Sequence, residues 1–233
     1  MRKIALTCIA VAFLLSACSN VERQISTSAP PYVSLPNGRD PINPDRDSKF
    51  GERFSGGLIA TLERQFGRPI NILEISGGGQ RGAFGAGVLA GWSESGTRPK
   101  FDIVTGISAG ALLATFAFLG EPQDDAVMKE MFTDFEKNKL PREGGFIRFM
   151  FGNKSLMDNE PLIELLERYI TQEVLDRVAA EGRKGRLLCV GLLNLDYRQL
   201  WGFDLTTLAA SGEPDALETY RKILQAAASP PLL

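Results

Sequence analysis

Histidine is absent from all 233 residues. Without it the chain cannot build a Ser-His-Asp triad or a histidine-ligated metal centre, so any serine nucleophile here needs another base. An excess of either charge is missing too. The 26 basic and 28 acidic side chains leave a net charge of −2, which gives no global attraction for nucleic acid or for an anionic membrane surface. There are three cysteines, and no disulfide framework follows from them. Cys8 lies in an apolar leader, and Cys189, inside Leu187-Leu-Cys-Val190, reads as a small buried hydrophobe rather than a reactive thiol. No internal repeat is evident. With 44% hydrophobic residues, the chain has enough apolar material for one domain with a real core.

The residues that are present centre on two matching units. Ile70-Asn-Ile-Leu-Glu-Ile75 runs into Ser76-Gly-Gly-Gly-Gln-Arg-Gly82, and Phe101-Asp-Ile-Val-Thr105 runs into Gly106-Ile-Ser-Ala-Gly110. Each is a short apolar run, then a glycine-rich turn, then an Ala/Leu-rich segment of helical character, over 82–92 and 109–119. The second turn matches Gly-x-Ser-x-Gly, the sharp strand-to-helix elbow that exposes a serine hydroxyl above a sheet edge. Gly106 and Gly110 flank Ser108 because larger side chains would collide with neighbouring backbone in so tight a turn. The first turn leaves backbone N–H groups free at a helix start, where the dipole favours negative charge. A nucleophile beside an anion cradle suits acyl transfer through an oxyanion.

Each motif also has a plainer reading. Gly77-Gly-Gly79-Gln-Arg-Gly82 fits Gly-x-Gly-x-x-Gly, the dinucleotide-binding fingerprint. That reading wants an acidic residue at the end of the second strand. Asp102 lies at the right distance but begins that strand. Gly106–Gly110 could likewise be an ordinary glycine-flanked turn.

In chain order, Met1-Arg-Lys3 and the apolar run 4–15 have the form of a secretory leader, too short to span a bilayer. Leu15-Ser-Ala-Cys18 resembles the lipobox of bacterial lipoproteins, in which residues 1–17 are removed and the cysteine is lipidated; an ordinary signal peptide is the alternative. Ser19, rather than Asp, after the cysteine implies sorting to the outer membrane, facing the periplasm. Residues 18–49 are rich in Ser, Pro, Asn, Asp and Arg and read as a flexible tether. A hydrolase-type domain is expected over 50–233. An amphipathic helix is expected within 50–66, carrying Leu58, Ile59, Leu62 and Phe66, and Gly67-Arg-Pro69 breaks it.

Residues 124–139 read as a surface helix with Val127, Met131, Phe132 and Phe135 inward. The cluster Gly144-Gly-Phe-Ile-Arg-Phe-Met-Phe151 is either core or an acyl-chain surface. Helices are expected over 159–169, 172–181 and 215–228, and consecutive strands over 186–195 and 198–204, the first central. The apolar terminus Ser229-Pro-Pro-Leu-Leu233 suggests a longer natural chain.

Taken together the pattern resembles the patatin-like phospholipases. The matching residues are Gly77–Gly82, Gly106–Gly110, Ser155-Leu-Met-Asp-Asn-Glu-Pro-Leu162, Asn194-Leu-Asp-Tyr-Arg-Gln-Leu-Trp201 and Ala226-Ala-Ala-Ser-Pro-Pro231, in order. The resemblance implies a three-layer α/β fold with a central, mostly parallel sheet, and a Ser-Asp dyad acting on lipid acyl esters with no metal or organic cofactor. On the resemblance, Ser108 is the nucleophile, and the N–H groups of Gly78, Gly79 and Ala109 form the oxyanion hole. Arg81 takes the family's arginine position, steadying the loop, facing a lipid phosphate or making a structural ion pair. Two departures stand out. Ser76 replaces a usual Asp, a position read as structural, and the family's Asp-Gly-Gly or Asp-Gly-Ala motif has no counterpart. Asp158, Asp196 and Asp204 match non-catalytic positions, and Asp124 and Asp125 fall on the expected surface helix. The chain as given is therefore expected to be nearly inactive, and an anchored, catalytically dead scaffold stays open beside the hydrolase and nucleotide-binding readings.

Overall fold

The computed structural model describes residues 63–133, 160–194 and 199–229, all within one compact unit. The leader with Cys18, the tether, the expected helix up to residue 62, Phe135, the cluster 144–151, Asp158 and Asp196 lie outside the described residues.

Four apolar runs form one sheet in the order β1 (Ile72–Ile75), β2 (Ile103–Ile107), β3 (Leu187–Asn194) and β4 (Gln199–Asp204). β1 to β3 are parallel, and β4 returns antiparallel to β3. β3 lies between two neighbours, as its continuous apolar sequence predicts. The helices are α1 (Gly82–Glu94), α2 (Ala109–Leu119), α3 (Pro122–Thr133), α4 (Glu160–Tyr169), α5 (Gln172–Arg183), α6 (Leu205–Ala209) and α7 (Ala216–Ala228). The mostly parallel sheet flanked by helices agrees with the three-layer α/β arrangement.

α2 is the centre of the core. All of its residues are buried, which suits a sequence with a single polar side chain. That side chain, Thr115, shares a 2.9 Å hydrogen bond with the Tyr220 hydroxyl of α7, and burial raises the Tyr220 phenol above its ordinary pKa. Against α2 pack α5, which buries Val174, Leu175 and Val178, and α7, which buries Ile223 and Leu224, while α4, which buries Leu162, Leu165 and Leu166, packs on α7. Each large apolar side chain buried there contributes roughly 1.5–3 kcal/mol. Gly82, at the start of α1, lets Phe132 of α3 lie where a Cβ would otherwise be.

The expected surface helix over 124–139 needs correction. α3 begins at Pro122, and Asp124 and Asp125 are 1% and 6% exposed. Asp124 accepts two hydrogen bonds from Arg177 at 2.8 and 2.6 Å, and Asp125 accepts one from Arg98 at 2.6 Å. These carboxylates are buried because each meets a guanidinium supplied by a distant segment. The five-residue α6 was not expected from sequence. Asp204 caps it, accepting from the Thr207 N–H at 2.9 Å and from the hydroxyls of Thr206 and Thr207.

One guanidinium ties three elements together. Arg186 donates to the Phe101 carbonyl before β2, to the Phe118 carbonyl in α2 and to Glu181 of α5, and it stacks 4.2 Å from the Phe118 ring centroid. Burial raises the Glu181 pKa, but hydrogen bonds from Lys184, Arg186 and Lys100 outweigh it and bring the value from 4.5 to about 2. A depressed carboxylate stabilises the fold above its unfolded pKa, and that contribution is lost as pH falls through the folded value. Glu181→Gln should therefore lower stability at pH 7 by about 2 kcal/mol. It should also flatten the decline in stability between pH 4.5 and about 2, measured by urea unfolding across that window.

Candidate active site

The two glycine-rich turns both follow parallel strands, so both open at the carboxyl edge of the sheet. Ile75 of β1 pairs with Gly106 of β2, which brings the segments 76–79 and 107–110 side by side. Two glycines permit the crossing. A Cβ on Gly110 would run into the Ile75 carbonyl oxygen and stand 2.8 Å from that of Ser76. One on Gly106 would strike the Gly110 carbonyl and stand 2.9 Å from the Ala111 Cα. Backbone cannot yield as a side-chain tip can, so α2 starts this close to β1 only with glycine at both positions.

Ser108 sits at the apex, with φ 57° and ψ −126°. Among the described residues it alone has a positive φ without being glycine. Holding a side chain there costs on the order of 1–3 kcal/mol, and such strain gathers at functional sites. The Ser108 carbonyl accepts from the Ala111 N–H at 2.9 Å, starting α2, while the side chain makes no capping hydrogen bond and is half-buried.

Gly77 is the contact between the turns. A Cβ there would lie 3.1 Å from Ser108 Cβ and 3.7 Å from its Oγ. Gly78 and Gly79 follow, with Gly79 at φ 54° entering a short 3-10 turn (Gly79–Arg81) that leads into α1. The Arg81 N–H closes that turn on the Gly78 carbonyl at 3.0 Å. Among the described residues no backbone carbonyl accepts from the N–H groups of Gly78, Gly79 or Ala109. Those donors belong to the two helical starts that flank Ser108, where the helix dipoles favour negative charge. The Arg81 side chain is exposed and makes no ion pair among the described residues, so its structural ion-pair reading is not realised there.

Other candidates are engaged elsewhere. Asp102 precedes β2 and is 2% exposed. It accepts two 2.8 Å hydrogen bonds from Arg68 and one of 2.7 Å from the Asn71 N–H. Burial raises its pKa, and those bonds with the charges of Arg68 and Arg186 outweigh the rise, so it is held below the ordinary value. A carboxylate so occupied, at the start of its strand, cannot take a ribose hydroxyl at the carboxyl edge. The Cys189 thiol is buried and pushed well above its usual pKa, first by desolvation and then by the Asp204 charge; it is inert, as its apolar run implies. A cleft of about 580 Å³ opens at the opposite edge of the sheet, lined by Arg98, Lys100, Phe101, Gly120 and Arg186, away from Ser108.

The family model for patatin-like phospholipases matches residues 73–228, from β1 through α7. The chain belongs to the patatin-like phospholipase family. Triacylglycerol lipase 5 of Saccharomyces cerevisiae is 29% identical over 132 residues, covering 53% of this chain and 17% of the yeast protein; the chain thus spans a small part of that relative's length. No solved structure matches significantly. Both glycine-rich turns, 76–82 and 106–110, fall within the matched segment. Sequence reading did not single out Ile107, 44% exposed beside Ser108, although strand alternation sets it on the sheet face opposite the buried Gly106.

The strain at position 108 is open to measurement. Ser108→Gly should raise unfolding stability by about 1 kcal/mol, because glycine adopts this φ freely, whereas Ser108→Ala should leave it within about 0.5 kcal/mol. Equal stabilities for the glycine and alanine variants would show that the serine is unstrained.

Proposed function

We propose that the chain is a serine acyl hydrolase that cleaves lipid acyl esters, tethered to a bacterial envelope membrane. The observation that carries this is the approach of Gly77 to Ser108 at a strained, half-buried elbow. That approach joins a hydroxyl and a cradle of amides that no backbone carbonyl among the described residues accepts from, the parts an acyl transfer needs.

In this reading the Ser108 Oγ attacks the ester carbonyl while its proton passes to a carboxylate. The tetrahedral oxyanion accepts hydrogen bonds from the N–H groups of Gly78, Gly79 and Ala109. Collapse expels the alcohol, which takes the proton, and leaves an acyl-serine. Water then attacks the acyl carbon and gives its proton to the same carboxylate, and collapse releases the fatty acid as the Ser108 Oγ takes that proton back. A carboxylate of ordinary pKa about 3.9 is a weak base for an alcohol. Oxyanion stabilisation must therefore carry much of the barrier, about 3–4 kcal/mol per donor in comparable sites.

The base is an aspartate outside the described residues. Among those described, no carboxylate accepts a hydrogen bond from Ser108; Asp102, Asp124, Asp125, Asp176 and Asp204 are each held by other partners, and Asp215 stands exposed at the start of α7. Asp-Gly-Gly or Asp-Gly-Ala, the family motif that carries the dyad aspartate, does not occur in the 233 residues. Cys18 supplies the anchor, with residues 19–49 as tether, and sorting goes to the outer membrane on its periplasmic side.

Fluorophosphonate labelling tests the chemistry. The wild-type chain should label and Ser108→Ala should not. An extension of the chain that carries the family's Asp-Gly-Gly or Asp-Gly-Ala motif should speed labelling by about 10²-fold or more. Undiminished labelling of Ser108→Ala would overturn the assignment, and an equal rate with and without the extension would locate the base within the 233 residues. The anchor has its own readout: Cys18→Ser should move the protein from the membrane fraction to the soluble periplasmic fraction, and unchanged membrane association would refute lipidation there.

A further inference from the structure

The first glycine turn is held at both ends. At its entry Gly77 lies against Ser108, where a Cβ would stand 3.1 Å from the serine Cβ. Within it the Arg81 N–H donates to the Gly78 carbonyl at 3.0 Å, and a Cβ on Gly78 would stand 3.2 Å from Arg81 Cβ. At its exit stands Gly82, the first residue of α1, and there another helix intrudes. A Cβ on Gly82 would run into Cε1 of Phe132 and stand 2.7 Å from its Cζ. Packed side chains do not approach so closely, so the ring occupies a notch that only glycine leaves.

The notch is specific to the exit of the turn. Farther along α1, Gly87 and Gly91 have nothing within 4 Å of a Cβ, and Gly85 meets only the tip of Leu113, at 3.2 Å. The ring does not stand in water: Phe132 is 5% exposed, and Met128 and Met131 on the same helix are buried with it. Nor is α3 free to slide. Its first turn carries Asp124 and Asp125, whose carboxylates are buried against Arg177 and Arg98, and Asp124 also accepts from the Glu121 N–H at 2.9 Å. α3 is thus a strut of 12 residues, roughly 18 Å long. Two arginines clamp one end, and the other bears on Gly82.

We propose that Phe132 is a positioning residue for the reaction at Ser108. By filling the notch at Gly82 it fixes the exit of the turn, and so holds the Gly78 and Gly79 N–H groups where the oxyanion forms. The proposal rests on the hydrolase reading and adds to it a residue that touches neither substrate nor nucleophile. Amide donors stabilise an oxyanion best when they are fixed before the charge develops. A glycine-rich turn pinned at its entry alone would pivot about Gly77, because glycine offers the backbone many conformations.

Saturable labelling by a fluorophosphonate separates positioning from folding. Phe132→Leu removes the ring but keeps apolar bulk, and Gly82→Ala drives a methyl into the ring. Each, shown folded by circular dichroism, should lower the maximal labelling rate about tenfold and leave the half-saturating concentration unchanged. In the double variant the methyl takes part of the space that the ring leaves, so the rate should recover to within about threefold of wild type. Hydrogen exchange of the Arg81 amide, which closes the turn on Gly78, should quicken in each single variant and return toward wild type in the double. A maximal rate unchanged in both single variants, or losses that multiply in the double, overturns the proposal. So does a fall in the fraction labelled at an unchanged rate, because that reports lost fold alone. Failure of the wild type to label sinks the hydrolase reading instead. Quickened Arg81 exchange in the single variants then upholds the strut, and unchanged exchange overturns it.

Discussion

The molecule depends on one backbone crossing. α2 begins where the Gly110 Cα meets the Ile75 carbonyl, at a separation no side chain allows. Moving α2 outward by the width of a methyl group would separate the end of β1 from the elbow. It would draw Ser108 away from Gly77 and loosen the helix on which the whole core is packed. The same contact thus sets a packing distance and a reactive geometry. The strain at Ser108 is held because α2, buried on all sides, cannot rotate to relieve it.

The far end of α2 is fixed by electrostatics rather than by close backbone packing. Arg186 reaches the Phe101 and Phe118 carbonyls, so the start of β2 and the last turn of α2 share one guanidinium. Arg98 donates to the Ala117 carbonyl at 2.9 Å and to Asp125. The last carbonyls of a helix carry partial negative charge, and cations there are favourable. α2 is therefore clamped at its carboxyl end by two arginines and seated at its amino end on glycine, with the serine at the seated end. The buried carboxylates of this frame serve those arginines and their like, which is why none is free to act as a base.

Most of this frame was legible from sequence, and for a physical reason. The elbow, the first glycine turn and the flanking strands are local: period, glycine placement and small-residue helices are written within a few residues of one another. β3 as an interior strand and Cys189 as a buried thiol were likewise readable from one apolar run. Asp124 and Asp125 were not. Their neighbours in sequence are polar, and the guanidiniums that allow burial come from positions 53 and 27 residues away. Pairing at such range leaves no local trace. The exposure of Ile107 beside Ser108 escaped notice for a related reason. A strand's alternation states which residues share a face, while which face stays bare depends on what packs against it.

A serine without histidine constrains how such an enzyme can work. Imidazole matches a base to neutral pH; a carboxylate does not, and its low proton affinity leaves the alcohol largely un-ionised before attack. The missing driving force has to appear later along the reaction coordinate, where negative charge moves onto the carbonyl oxygen. Donors aimed there must be fixed in advance, because amides that reorient during the reaction return part of what they stabilise. In the proposed mechanism the first glycine turn would meet that demand through its seat: its start is pinned by the Gly110 crossing, its Gly78 carbonyl is closed by the Arg81 N–H, and α1 continues directly from it.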